Sequence, residues 1–299
     1  MSVAEAQSPA EVDKDQERRL YREEMAIAKK YIGPFPVVMA LWCFSNLLCW
    51  LALWPLVIFD VIPLWAGFLI ATANVALCYL PSHEAQHSNY ANPGTPLRWL
   101  NELIGYVSTI PLVLPFKIAR YTHMLHHKHT NDPKLDPDYE VIAPTWQQAM
   151  LKTVRRMQPG FPNSYGVVLS ENADDPAAKR AGLEGMVQSL AYWGILCTLA
   201  WSGYALEAAF LWWVPRMLGT IYISLFLSWW PHHPMDEMGR YRNTRSFTHK
   251  LGNIVAFGME DHIIHHLHPG MPLNRNKAAF RELRPILEAR GCRLEDHHG

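Results

Sequence analysis

The sequence predicts an all-α integral membrane protein, with four transmembrane helices in two hairpins beneath a cytoplasmic, histidine-rich helical cap. Three observations predict it. Long stretches without charge alternate with charged ones, although the mean hydropathy of the 299-residue chain is only −0.07. Lys and Arg avoid the turns between the apolar stretches. All fifteen histidines lie outside those stretches, most of them clustered at helical spacing. The expected organisation is an N-terminal interfacial helix over 1–34, a membrane domain over 35–290 and a short tail over 291–299.

Residues 1–34 are charged and contain no apolar core of the kind a signal peptide needs. Within them "ERRLYREEMAIAKKYIG" brings Leu20, Met25, Ala28 and Ile32 near one helical face. A helix lying on the cytoplasmic membrane surface is expected, ended by Gly33-Pro34. Residues 35–59, "FPVVMALWCFSNLLCWLALWPLVIF", carry no charge and are long enough to cross a bilayer. Residues 61–80 are equally uncharged, and only Asp60 separates the two, so a tight hairpin follows. A second pair is expected at about 186–206 and 207–230, the latter interrupted by Pro215 and Arg216.

The basic residues orient these spans. Residues 1–34 hold six Lys/Arg, 81–185 hold ten and 231–299 hold ten, with Arg216 the one remaining. Cytoplasmic segments are enriched in Lys and Arg, so both termini and the middle segment belong on the cytoplasmic side. Arg216 should snorkel outward or pair within the bundle; a role toward a substrate carboxylate is the weaker alternative. Lys+Arg and Asp+Glu balance at 27 each, so nothing points to nucleic acid. The five cysteines form no C-x-x-C, and any metal must be held by nitrogen and oxygen.

The histidines supply such ligands. "HEAQH" places His83 and His87 on one helical face. "HMLHHKH" supplies His123, His126 and His127, with His129 beyond. His232 and His233 follow the fourth span, and "HIIHHLH" supplies His262, His265, His266 and His268. Residues i, i+3 and i+4 share an arc of about 100°, so each H-x-x-H-H cluster should present a common face. Catalytic zinc takes three protein ligands, so eight or nine histidines suit two metal ions better. Imidazole accepts iron, copper and zinc alike, and affinity alone does not choose. "HEAQH" also matches the zinc-protease pattern H-E-x-x-H, with Glu84 as base, but that reading leaves two clusters unused. A metal transporter would place its ligands within the spans, not at their ends. Metal-bound histidines commonly donate their second N–H to a carboxylate, a role that Asp136, Asp138 and Asp261 are placed to fill.

With these clusters and the paired apolar hairpins, residues 35–290 resemble the membrane fatty acid desaturase and hydroxylase superfamily. The resemblance rests on His83–His87, His123-x-x-His126-His127 and His262-x-x-His265-His266. It implies two iron ions cycling between Fe2+ and Fe3+, O2 as co-substrate, a lipid or fatty-acyl substrate and a separate ferredoxin-like or cytochrome-type electron donor. The eight box histidines become iron ligands, joined by His232 or His233, while His129 and His268 stand behind them. Fatty acid desaturation is the leading expectation; hydroxylation or ketolation of a fatty acid or carotenoid remains the alternative. Trp229, Trp230 and Tyr192 flank the path of a lipid tail or form an interfacial aromatic belt.

The topology has a direct test. Reporters fused after residue 34 and after residue 299 should both read cytoplasmic, and one inserted at Gly203 should read the opposite side.

Overall fold

Proline and charge delimit the helices that carry the histidines. The computed structural model describes residues 14–158, 164–247 and 256–295. Helix α1 spans Lys14–Ala28. Helix α2, Val37–Ile58, starts directly after Pro36 and stops before Asp60, whose φ of 56° turns the chain. Helix α3, Leu64–Gln86, starts after Pro63 and, broken locally at Cys78, continues into the first histidine motif. The hairpin between α2 and α3 is as expected. It is bolted by Asn74 Nδ2 to Asn46 Oδ1 at 2.6 Å and Asn46 Nδ2 to the Asn74 carbonyl at 2.9 Å. Amide pairs of this kind satisfy each other where no water is available.

The middle segment folds back as α4 (Arg98–Ser108), α5 (Phe116–His129), α6 (Trp146–Arg156) and α7 (Ser164–Glu171). Helix α8, Pro176–Trp201, is opened by Asp175, whose carboxylate accepts the Ala177 N–H at 2.8 Å. Helix α9 runs over Ala205–His232 and contains two π-helical stretches, Ala209–Trp213 and Ile223–Trp229. The short α10 (His262–Leu267) and α11 (Leu273–Ala289) complete the helices named here. Strands β1 (Arg245–Ser246) and β2 (Arg293–Leu294) pair in parallel.

Among the described residues, three helices are long and apolar enough to cross a membrane: α2, α3 and α9. The expected third span lies in α8, which has 26 residues but is not among the three. Its first turns carry Lys179, Arg180 and Glu184, and Gln188 follows, so its apolar part is short.

Two terminal expectations change. The Leu20 and Ala28 face of α1 is not turned to a membrane surface; it packs on Ile263, Ile264 and Leu267 of α10 and on Phe280, Leu283 and Leu287 of α11. Ile32 is exposed rather than part of that face. Residues 291–295 are not a free tail either, because β2 is hydrogen-bonded to β1 beside the end of α9. The two tryptophans that end and follow the second π stretch serve packing: Trp229 is buried and donates to the Ala143 carbonyl at 2.9 Å, while Trp230 stacks on Phe247.

Helices α3 and α9 pack closely at Gly219. A Cβ there would stand 2.7 Å from Val75 Cγ1 and 3.3 Å from the Ala76 backbone nitrogen, which has nowhere to go. Gly219→Ala should therefore destabilise the chain by about 1–3 kcal/mol, read as a lowered thermal midpoint in detergent.

Candidate metal centre

Four separate segments deliver imidazoles to one place. The end of α3 supplies His83, and His87 follows directly. Helix α5 supplies His123, His126 and His127; α9 ends on His232; α10 supplies His262, His265 and His266. They sort into two groups whose candidate ligand atoms lie within 4.8 Å of one another: His83, His87, His123 and His265, and His126, His232, His262 and His266.

The expectation that each H-x-x-H-H cluster presents a single face is corrected here. Residues i+3 and i+4 fall on opposite sides of residue i along the helix surface, so a helix edge set between two sites feeds both. On α5, His123 faces the first group and His126 the second; on α10, His265 faces the first while His262 and His266 face the second. His127 belongs to neither foursome yet borders both. Its Nε2 is 2.9 Å from His265 Nε2 and 3.2 Å from His123 Nε2, and its ring stacks on His266 at 4.2 Å.

Nitrogens meet nitrogens throughout the cluster. His87 Nε2 is 2.8 Å from His123 Nε2; His232 Nε2 is 3.2 Å from His126 Nε2 and 3.0 Å from His262 Nε2. Buried His83 has no hydrogen-bond partner for either ring nitrogen among the described residues, nor has His266 Nε2. Two neutral imidazoles can share one proton, but four convergent nitrogens lack enough acceptors and donors for each other. A shared cation satisfies all of them, and an all-nitrogen donor set of this density fits a pair of transition-metal ions. Burial, reinforced by the neighbouring imidazoles, holds His87, His123, His127, His262, His265 and His266 well below the ordinary histidine value. They therefore stay neutral, the form a metal requires.

The surrounding polar groups orient the rings. Asp136 Oδ1 lies 2.8 Å from His126 Nδ1 and accepts a hydrogen bond from it, leaving Nε2 toward His232 and His262. Burial opposes the charge on His126, but Asp136 outweighs it and raises the pKa; burial likewise opposes ionisation of Asp136, yet His126 and the N–H groups of Asn131 and Asp138 lower its value. His232 Nδ1 faces the Asn243 carbonyl at 3.3 Å. Asp138 and Asp261 accept from Ser228 and Ser246, at 3.2 and 3.0 Å. His233 reaches neither group: its ring packs on Trp229 at 4.6 Å. His129 also stays outside both groups, at the partly exposed end of α5. Glu84, the base of a protease reading, is buried between Asn89 Nδ2 at 2.5 Å and the Leu273 N–H at 2.6 Å, which occupy both carboxylate oxygens.

One residue escaped the sequence reading. Glu24 of α1 is fully buried, 3.2 Å from His268 Nε2, 3.3 Å from Arg240 and 3.5 Å from Arg290, and it accepts the Tyr241 hydroxyl at 2.8 Å. Its pKa is lowered: burial works against the charge, but His268, Tyr241 and Arg240 prevail. The signal was present, since Leu20, Glu24 and Ala28 form an i, i+4, i+8 stripe in which an acid interrupts apolar residues.

Beside the histidines lies a cavity of about 490 Å3, lined at one end by His83, His123, His126, His232 and His262. It continues past Leu112 and Tyr192 to Arg216. Trp229 and Trp230 are not among its lining residues; Tyr192 is.

The family model for fatty acid desaturases matches residues 59–296. The chain belongs to the fatty acid desaturase family. Similar proteins include an sn-1 oleoyl-lipid 12-desaturase of Anabaena variabilis, 40% identical over 60 residues, which is 20% of this chain and 15% of that one. An sn-1 acyl-lipid omega-3 desaturase (ferredoxin) of Synechocystis sp. is 22% identical over 237 residues, 70% of this chain and 64% of that one. An sn-1 acyl-lipid omega-3 desaturase (ferredoxin) of Nostoc sp. is 23% identical over 209 residues, 64% and 55% respectively. The matched stretch thus spans less than two thirds of each of these relatives' own length.

Two outcomes follow. Asp136→Asn should weaken metal binding about 10- to 100-fold, measured by chelator competition. Metal-free protein should lose stability as pH falls below about 6.5, because the unfolded chain takes up protons there that the six buried neutral histidines refuse. Thermal unfolding between pH 8 and pH 5 checks this, and added metal should resist the loss.

Proposed function

We propose that this chain is an O2-dependent oxidoreductase that desaturates a lipid acyl chain at a pair of iron ions. The observation that carries the reading is the cavity, which joins both histidine groups to an elongated space between α8, α9 and the loop before α5. His83, His87, His123 and His265, bordered by His127, would hold one ion; His126, His232, His262 and His266 would hold the other. The bound iron pair supplies oxidising power from O2 toward an unactivated C–H bond.

The protein's own residues do the rest. Asp136 keeps the proton of His126 on Nδ1, so that the ring offers Nε2. Leu227, Ile223 and Met259 line the approach to the histidines and exclude water from a reacting methylene. Forming the double bond removes one hydrogen from each of two adjacent carbons. O2 is reduced to two molecules of water by these two hydrogens together with an electron pair and two protons from outside the chain. A separate ferredoxin-type donor is the proposed source, as the printed names of two relatives suggest for those proteins. The four-span topology, with termini and metal centre cytoplasmic, belongs to the same proposal; it makes α8 the third crossing and lets a bilayer lipid tail enter laterally.

Lipid profiling by mass spectrometry, in cells expressing wild type or His232→Ala, tests the reading together with metal analysis of the purified chain. The expected result is new unsaturated acyl chains with wild type only, and two iron ions per chain. Stoichiometric zinc without iron, or lipid profiles identical for both proteins, would sink it. Products carrying a hydroxyl or keto group would transfer the site to the alternative chemistry.

A further inference from the structure

The cavity has a second polar end. Arg216 lines it sixteen residues before His232 on α9, roughly 24 Å of axial rise from the histidines. An arginine inside an apolar span is costly and normally faces a partner or a water-filled space. Here its Nε donates to the Leu112 carbonyl at 3.2 Å and its guanidinium lies over the Tyr192 ring, 5.4 Å from the centre. It forms no ion pair among the described residues. Guanidinium carries five N–H donors, and the Leu112 bond takes only one. Tyr192 is 4% exposed and lines the same end of the cavity. Its hydroxyl faces Arg216 but has no partner within normal hydrogen-bond distance among the described residues.

We propose that Arg216 and the Tyr192 hydroxyl bind a carboxylate at the end of the substrate chain, so that the site selects long-chain acids carrying a free carboxylate. The Leu112 carbonyl fixes the guanidinium in place, and its remaining N–H groups form the planar fork that matches two carboxylate oxygens. Tyr192 adds an O–H donor to the same anion. The anchored end sets the reacting carbon by distance, since the apolar chain must run from Arg216 to the histidines through one cavity. Both anchors come from outside the histidine motifs: Arg216 from the middle of α9 and Tyr192 from α8. This assignment rests on the lipid-oxidising function proposed above and names its substrate class, which differs from the lipid-bound chains in the relatives' names.

Equilibrium binding separates the two. Radiolabelled stearate and methyl stearate, which share the acyl chain and differ by the ester methyl that removes the carboxylate charge, are titrated onto the purified full chain in lipid nanodiscs. Wild type should bind stearate about 10-fold or more tighter than the ester. Arg216→Gln should abolish that preference while ester binding is unchanged, and Tyr192→Phe should reduce it by a few-fold. A purely structural Arg216 would lower the thermal midpoint without moving the ratio between the two ligands. Equal affinity of wild type for acid and ester, no saturable binding of either, or a preference that survives Arg216→Gln would each overturn the assignment. A clear preference alongside unchanged cellular lipid profiles would instead leave the carboxylate site standing and remove the desaturase reading.

Discussion

Close contact between buried, neutral imidazoles is the constraint on which the rest of this structure depends. Pairs of nitrogens 2.8–3.2 Å apart can share one proton, but groups of four convergent nitrogens cannot all satisfy one another in this way. Protonation would set like charges against each other, and neutrality leaves nitrogens such as those of His83 without a partner among the described residues. The surrounding fold holds these segments together, and its architecture shows how. Helix α3 is long enough to carry an uncharged span and then His83; α9, whose charges are Glu207 and Arg216, ends on His232; α5 and α10 are short and braced from outside.

Much of that bracing comes from the chain termini. Helix α1 and helix α11 enclose α10 in a single apolar cluster, and Glu24 fixes the exit from the third histidine motif through His268, Arg240 and Arg290. The strand pair β1–β2 ties the C-terminal segment to the chain just after α9. Residues that read in sequence as an interfacial helix and a tail are thus part of the wall behind the metal centre. An acid buried at no exposure among two arginines and a histidine is a fixed point, because removing it would strand positive charge inside the protein.

The π-helical stretch Ile223–Trp229 links the metal centre to the cavity. It occurs where α9 must present Ile223, Ser224, Leu227 and Ser228 to the cavity and then deliver His232 to the second histidine group. A regular α-helix spreads successive residues by about 100°, and the wider π turn relaxes that spacing; such stretches recur at functional sites. Ser228 also accepts a second duty, donating to Asp138 beside the His126–Asp136 pair.

Residue type and local spacing were enough to determine the α2–α3 hairpin and the three histidine motifs, because absence of charge and i, i+3, i+4 periodicity are local properties. Asp136 was legible for the same reason, lying ten residues after His126 and a short loop beyond the helix that carries it. Other features required the fold. His232 and His233 are adjacent in sequence, and only the end of α9 decides that one meets His126 while the other packs on Trp229. The split of each H-x-x-H-H motif between two groups depends on where α5 and α10 sit relative to each other, as does the partnership of Glu24 with His268 across most of the chain. The position of Arg216 at a cavity wall is likewise set by packing. Sequence by itself specified which groups could bind metal; tertiary structure decided which nitrogens converge, because convergence is a long-range relation that no local period encodes.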